Sequence, residues 1–187
     1  KSGKIMFNKI LIANRGEIAC RIIQSARTMG ISTVAVFSDV DQDALHVQMA
    51  DEAVFIGSAA ARESYLSIDK IVKACKTLGV DAVHPGYGFL SENPNFSSRL
   101  ESEGITFIGP STKSIKVMGD KIESKKAAMA AGVSTIPGHL GIVAEVDEAL
   151  LIADKIGYPV IIKASAGGGG KGMRVANTVK ELYESFN

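Results

Sequence analysis

The sequence predicts an α/β fold: a mainly parallel sheet wrapped by helices, then connecting helices, then the opening of a second α/β unit. Three observations predict it. Short apolar runs alternate with stretches of 3.6-residue period, the pattern of βαβ units. Of the 187 residues, 46% are apolar and 22% charged, which is ordinary globular usage and excludes a disordered or collagen-like chain. A chain of this length can also bury about 70% of the surface it exposes when unfolded, so a sizeable core is available.

The elements follow in order. Residues 9–13 (KILIA) read as a buried strand. Ile18, Ile22, Ala26 and Met29 then share one helical face, and Gly30 stands where a helix C-cap belongs. Residues 33–37 (TVAVF) form the second strand, and residues 53–56, 81–84 and 106–108 continue the series. Helical patterns at 43–50, 68–78 and 95–103 separate them. Such spacing predicts a first domain over residues 7–110. Helices at 111–118 and 120–131 connect it, within residues 111–134, to a second unit at 135–187. That unit holds a turn at Ile136-Pro137-Gly138, a helix at 146–156 ending on Gly157, and a strand at 160–163. A glycine-rich run, a short apolar stretch at 173–176 and a helix from Val179 complete it. One or two strands cannot close a sheet, so this unit reads as incomplete.

Charge and cysteine usage narrow the function classes. Lys and Arg number 21 against 20 Asp and Glu, a net charge of +1 that offers no general field for nucleic acid or an anionic membrane. No apolar run exceeds five residues, the length of residues 149–153, which is far too short for a membrane span or a signal-peptide core. Cys20 and Cys75 both fall in helical patterns, unlike the loop-spaced cysteines of secreted scaffolds, and predict a reducing compartment. With His46, His84 and His139 they make no recognisable metal spacing.

The most specific chemical signal is Gly167-Gly168-Gly169-Gly170-Lys171-Gly172. Adjacent glycines add unfolded-state entropy that folding must overcome, yet they let backbone N–H groups converge on a phosphate, and Lys171 adds charge there. A flexible linker is the plainer reading, but linkers rarely lie between two strand-like runs. The run also satisfies GxGxxG, which in a dinucleotide site requires a helix to open at the glycines. The strand-like MRVA that follows argues for a β-hairpin lid over phosphates instead, and the residues after Lys171 rule out a Walker A loop.

Lys163, ending an apolar strand four residues before the first glycine, can place its ammonium on a phosphate, or merely snorkel to solvent. Lys121 opens a helix where the dipole disfavours cations, which suggests an anionic ligand, though a solvated first-turn lysine accounts for it as well. The loop His84-Pro85-Gly86-Tyr87-Gly88-Phe89-Leu90-Ser91-Glu92-Asn93 leaves the carboxyl end of the fourth strand, where open α/β sheets collect ligands. It serves either to present Tyr87 and Glu92 or as a turn with a helix N-cap at Ser91. Asn14-Arg15-Gly16-Glu17 leaves the first strand at the same edge.

Five segments in order, NRGEIA (14–19), HPGYGFLSEN (84–93), FIGP (107–110), MGDK (118–121) and YPVIIKASAGGGGKGMR (158–174), resemble the amino-terminal part of biotin carboxylase. This is the ATP-grasp subunit or domain of biotin-dependent carboxylases. GDKIESK and ASAGGGGKGM are most similar to the propionyl-CoA branch of the acyl-CoA carboxylases, although the acetyl-CoA, pyruvate and methylcrotonyl-CoA branches share most of the pattern. The resemblance implies a Rossmann-like (pre-ATP-grasp) first domain followed by an incomplete ATP-grasp lid subdomain. It implies ATP- and bicarbonate-dependent carboxylation of biotin on a carrier domain, with carboxyphosphate as intermediate and a carboxyltransferase subunit as further partner.

By position, the resemblance implies that Lys121 and Lys163 contact ATP phosphates, that Gly169 and Gly170 lie in the lid, that Met173 approaches the adenine, and that Tyr87 with Gly88 borders the biotin side. Arg21 falls where a homodimer ion pair is expected. The Mg²⁺ ligands and the catalytic residues are expected beyond Asn187, so the chain by itself is expected to be inactive. A bacterial cytoplasm or the mitochondrial matrix is the implied location. Two other readings stand beside this one: a dinucleotide-binding oxidoreductase domain, which needs a helix starting in the glycine loop, and a non-catalytic nucleotide-binding or dimerisation module.

Overall fold

In the computed structural model, residues 7–139, 141–163 and 172–186 are described. The chain forms two compact units that divide between Gly119 and Asp120.

The first unit is built on five strands, β1 (Lys9–Ile12), β2 (Ser32–Ser38), β3 (Glu52–Gly57), β4 (Ala82–His84) and β5 (Thr106–Phe107). All pair in parallel, in the order β3-β2-β1-β4-β5. The helices between them are α1 (Gly16–Thr28), α2 (Leu45–Met49), α3 (Ile68–Leu78), α4 (Pro94–Ser102) and, after β5, α5 (Thr112–Gly119). Central β1 is apolar at successive positions because both of its faces are covered. Leu11 and Ala13 join Val34, Val36 and Val83 in a core completed by Ile71, Val72 and Cys75 of α3 and Phe96 and Leu100 of α4. Ile10, Ile12 and Ala82 face the other way, onto Ala19, Ile22, Ile23 and Ala26 of α1. Each such aliphatic side chain, fully buried, stabilises the fold by about 1.5–3 kcal/mol relative to exposure.

Three details differ from the sequence reading. Helix α1 ends at Thr28 with Met29 as its C-cap, so Met29 leaves the apolar face and is exposed, and Gly30, at φ +73, takes the left-handed position beyond it. Helix α2 is only five residues long and follows a 3-10 turn at Asp39–Asp41. The cap of α4 is Asn93 rather than Ser91: its side chain accepts from the amides of Asn95 and Phe96, with Pro94 at the first helical position.

The second unit holds α6 (Lys121–Ala130), α7 (Val146–Ile156), β6 (Val160–Lys163), β7 (Met173–Ala176) and α8 (Val179–Phe186). Asp120 caps α6 by accepting from the amides of Ile122 and Glu123, both at 2.8 Å. Strands β6 and β7 pair antiparallel, in register Val160↔Ala176 to Lys163↔Met173. Their inner residues Val160, Ile162 and Ala176 pack against Ala153 of α7 and Leu182 of α8.

Candidate functional site

In the strand order of the first unit, the chain runs outward from β1 to β3 and then restarts on the other side of β1 with β4. Ligands of open α/β sheets bind outside the carboxyl ends of the strands where the order reverses. Here that place lies between the loops after β1 and β4, the two that the sequence singled out. Asn14, 4% exposed, spans it: its side-chain amide donates to the carbonyls of Pro85 at 2.8 Å and Tyr87 at 2.7 Å, while its own oxygen accepts from the Arg15 amide.

The loop can approach so closely only because Gly86 lacks a side chain. A Cβ there would lie 2.8 Å from Asn14 Nδ2, and the φ of +64° suits glycine. Gly88, at φ +70, and Phe89, at φ +42, continue in the left-handed region. For a phenylalanine that conformation costs on the order of 1–3 kcal/mol, so its surroundings must hold it. Tyr87 projects outward, 63% exposed, with its hydroxyl 3.4 Å from Glu17 Oε2. Arg21, also on α1, lies 3.6 Å from the other oxygen of Glu17. Burial lowers the pKa of His84, whose Nδ1 accepts from the Gly86 amide.

Three residues at the same sheet edge escaped the motif reading, and a fourth, Phe89, was read only as part of the loop after β4. Ser38 ends β2 and Asp41 follows it, Tyr65 follows β3, and Phe89 follows Gly88. Asp41 Oδ2 collects the Tyr65 hydroxyl at 2.6 Å, the Ser38 hydroxyl at 2.8 Å and Arg15 Nη1 at 3.2 Å. Although desolvation opposes it, these donors together hold the Asp41 carboxyl below its ordinary pKa. Burial, with the neighbouring carboxylate, pushes the Tyr65 phenol up to about 12, so it remains a donor. The Tyr65 and Phe89 rings stack at 5.1 Å, and the Arg15 guanidinium lies 5.2 Å and 5.7 Å from their centroids. Extending the sheet-edge rule from the first and fourth strands to the second and third would have reached Asp41 and Tyr65.

In the second unit, the glycine run Gly167–Gly170 and Lys171 lie outside the described residues. What flanks them is clear: the chain leaves β6 at Lys163 and returns as β7 at Met173, directly opposite. Among the described residues, a strand starts at Met173 and the next helix begins at Val179, which disfavours the helix that a dinucleotide fingerprint needs directly after its glycines. Cross-strand partners share a face of the hairpin, which puts Lys163 and Met173 side by side. With Ile161 and Val175 they make the outer face, where Ile161, Met173 and Val175 are 58%, 49% and 57% exposed. A mostly apolar surface with one cation at the glycine end suits a ligand with an aromatic part and a phosphate part. Lys121 is the first residue of α6. Among the described residues, no group of three His, Cys, Asp or Glu side chains could hold a metal ion, and no helix is long and apolar enough to cross a membrane.

The family model described as "Biotin carboxylase, N-terminal domain" matches residues 6–115, and that of the "Carbamoyl-phosphate synthase L chain, ATP binding domain" matches residues 120–187. The propionyl-CoA carboxylase alpha chain of Ruegeria pomeroyi is 62% identical over 97% of this chain. The match covers 27% of that relative, and 25% of the mouse mitochondrial alpha chain, so the chain spans about a quarter of the length of such relatives. Among solved structures, biotin carboxylase from Campylobacter jejuni, in a beta-gamma-ATP complex, has a TM-score of 0.88 at 46% identity, over 97% of this chain and 41% of its own. The biotin carboxylase domain dimer of Hydrogenobacter thermophilus 2-oxoglutarate carboxylase, with MgADP, ADP and bicarbonate, has a TM-score of 0.85 at 49% identity, over 97% and 40%. More than half of the chain lies under the first family model, and the chain belongs to the biotin carboxylase family.

Proposed function

We propose that this chain supplies the nucleotide-lid hairpin and the biotin-side loop of an enzyme that uses ATP and bicarbonate to carboxylate biotin on a carrier domain, within an acyl-CoA carboxylase acting on propionyl-CoA. The observation that carries the reading is the β6–β7 hairpin, with the glycine run between its two strands in the sequence and Lys163 opposite Met173 on the exposed face. In this reading Met173 and its apolar neighbours on that face receive the adenine. The Lys163 ammonium donates to a phosphate oxygen, as do Lys121, Lys171 and the amides of Gly167, Gly168, Gly169 and Gly170. Their work is charge neutralisation and positioning, which is most of what phosphoryl transfer asks of a protein.

Tyr87 and Gly88 border the biotin side at the edge of the parallel sheet. Mg²⁺ neutralises phosphate charge when bound, and no step is assigned to it here because the described residues present no ligand set for it. Arg21, exposed on α1, contributes to a homodimer surface, and the carboxyltransferase subunit accepts the product.

The test is bicarbonate-dependent ATP cleavage with free biotin, measured on the complete natural polypeptide. Lys163→Ala removes a charged hydrogen-bond donor, so the KM for ATP should rise about 10- to 100-fold. An unchanged KM for ATP would remove Lys163 from the nucleotide site, and NADH binding in place of ATP would overturn the assignment of the glycine run.

A further inference from the structure

Asn14 and Arg15 are adjacent in the chain and grip the loop after β4 at two separate points. Asn14 holds the carbonyls of Pro85 and Tyr87. Arg15 lies over the ring of Phe89, which is stacked on Tyr65. Gly88 sits between the grips and Tyr87 at the edge of the first, and Phe89 pays for its left-handed backbone with nothing local, since its neighbours in the chain are a glycine and a leucine. What opposes the strain is therefore the ring clamp.

The clamp is itself braced from three strands. Asp41, after β2, fixes the Arg15 guanidinium and the Tyr65 hydroxyl with one oxygen, and the amide and hydroxyl of Ser38 complete the set by bonding Tyr65 and Asp41 respectively. Tyr65 and Ser38 are 1% and 0% exposed, so neither can turn away without leaving a buried polar group unpaired. Arg15 has the planar, delocalised shape that both the stack and the carboxylate require.

We propose that Asp41, Arg15 and Tyr65 form a positioning cluster that, through Phe89, sets where Tyr87 and Gly88 stand for biotin, while leaving the nucleotide side of the enzyme untouched. None of the three is placed against substrate; each acts through the loop. The inference rests on the proposed biotin side of this edge.

Two measurements test it. On the complete carboxylase, Arg15→Gln should raise the KM for free biotin about ten-fold and leave the KM for ATP within about two-fold. Arg15→Lys should recover only part of that loss, because an ammonium keeps the charge but not the planar stack. Tyr65→Phe, which keeps the ring and loses the hydrogen bond to Asp41, should raise the biotin KM by about three-fold and provides the answer if Arg15→Gln does not fold. Biotin and ATP constants that move in parallel, or a biotin KM within about two-fold of wild type in folded variants, would overturn the proposal.

The second measurement is amide exchange in the 187-residue chain. Arg15→Gln should speed exchange of the Tyr87, Gly88 and Phe89 amides about ten-fold, with β1 unchanged, and equal rates in wild type and variant would overturn the clamp. Wild-type enzyme that cleaves no ATP in response to biotin would refute the functional reading instead, leaving the exchange result to judge the clamp.

Discussion

Replacing Gly86 by alanine tests how the two loops at the sheet edge are held together. At φ +64° an L residue costs about 1–2 kcal/mol relative to glycine. The new Cβ would also lie 2.8, 3.1 and 3.2 Å from Nδ2, Cγ and Cβ of Asn14, so that side chain must move. Moving it breaks the hydrogen bonds to Pro85 and Tyr87, each contributing about 0.5–1.5 kcal/mol. The first unit should therefore lose about 2–5 kcal/mol. Urea unfolding followed through amide exchange of Leu11, Ile12 and Val83 reports that unit alone. Asn14→Ala removes the two nearest crowding atoms, so the double variant should be less destabilised than the two single effects added, by about 0.5 kcal/mol or more. A loss below about 0.5 kcal/mol for Gly86→Ala, or strict additivity in the double variant, would refute the close approach as the reason for glycine.

Further outcomes follow from the same chemistry. Cys75 is 1% exposed and burial pushes its thiol up to about 12, so at pH 8 a disulfide reagent should modify Cys20 well before Cys75; equal rates would contradict the packing of α3. Burial depresses the pKa of His46, which is 1% exposed with Nε2 3.2 Å from the Val36 carbonyl, and also that of His84. Both stay neutral in the fold while the unfolded chain takes protons, so stability should be intact above about pH 6.5 and decline as pH falls toward the folded values. His46→Gln should flatten that slope in pH-dependent urea unfolding, and an identical slope would remove His46 from its cause. Arg21→Glu sets like charges at Glu17 and position 21, and sedimentation at several concentrations should show weaker self-association than wild type. A strictly monomeric wild type, or an unchanged dimer in the variant, would rule Arg21 out of the interface.

The parallel sheet was legible because its signals are local. Each strand is a short apolar run, and each long helix repeats its buried residues at three and four positions, as Ile71, Val72 and Cys75 do in α3 before Gly79 ends it at φ +62. The loops after β1 and β4 were legible as a candidate site because a rule of topology points to strand ends at the reversal of order. Element ends were less so. Met29 fits the apolar period of α1 but the helix stops one residue earlier, and Ser91 and Asn93 are both good caps that only Pro94 separates. The strand after the glycine run was legible in MRVA, whereas its register with β6, Lys163 opposite Met173, came only from the structure.

By itself, then, the order of residues determined the alternation of strands and helices, the family motifs, and the residue types able to meet phosphate. Only the tertiary structure decided that Asp41, Tyr65, Arg15 and Phe89 meet. They come from the ends of different strands, as far as 74 positions apart, and no periodicity or spacing relates them. Contacts of that kind are set when β1, β2, β3 and β4 align in parallel and bring their carboxyl ends to one edge. A single carboxylate can then satisfy three donors, an arrangement that depends on where the backbone has been carried and not on what lies next to it in the chain.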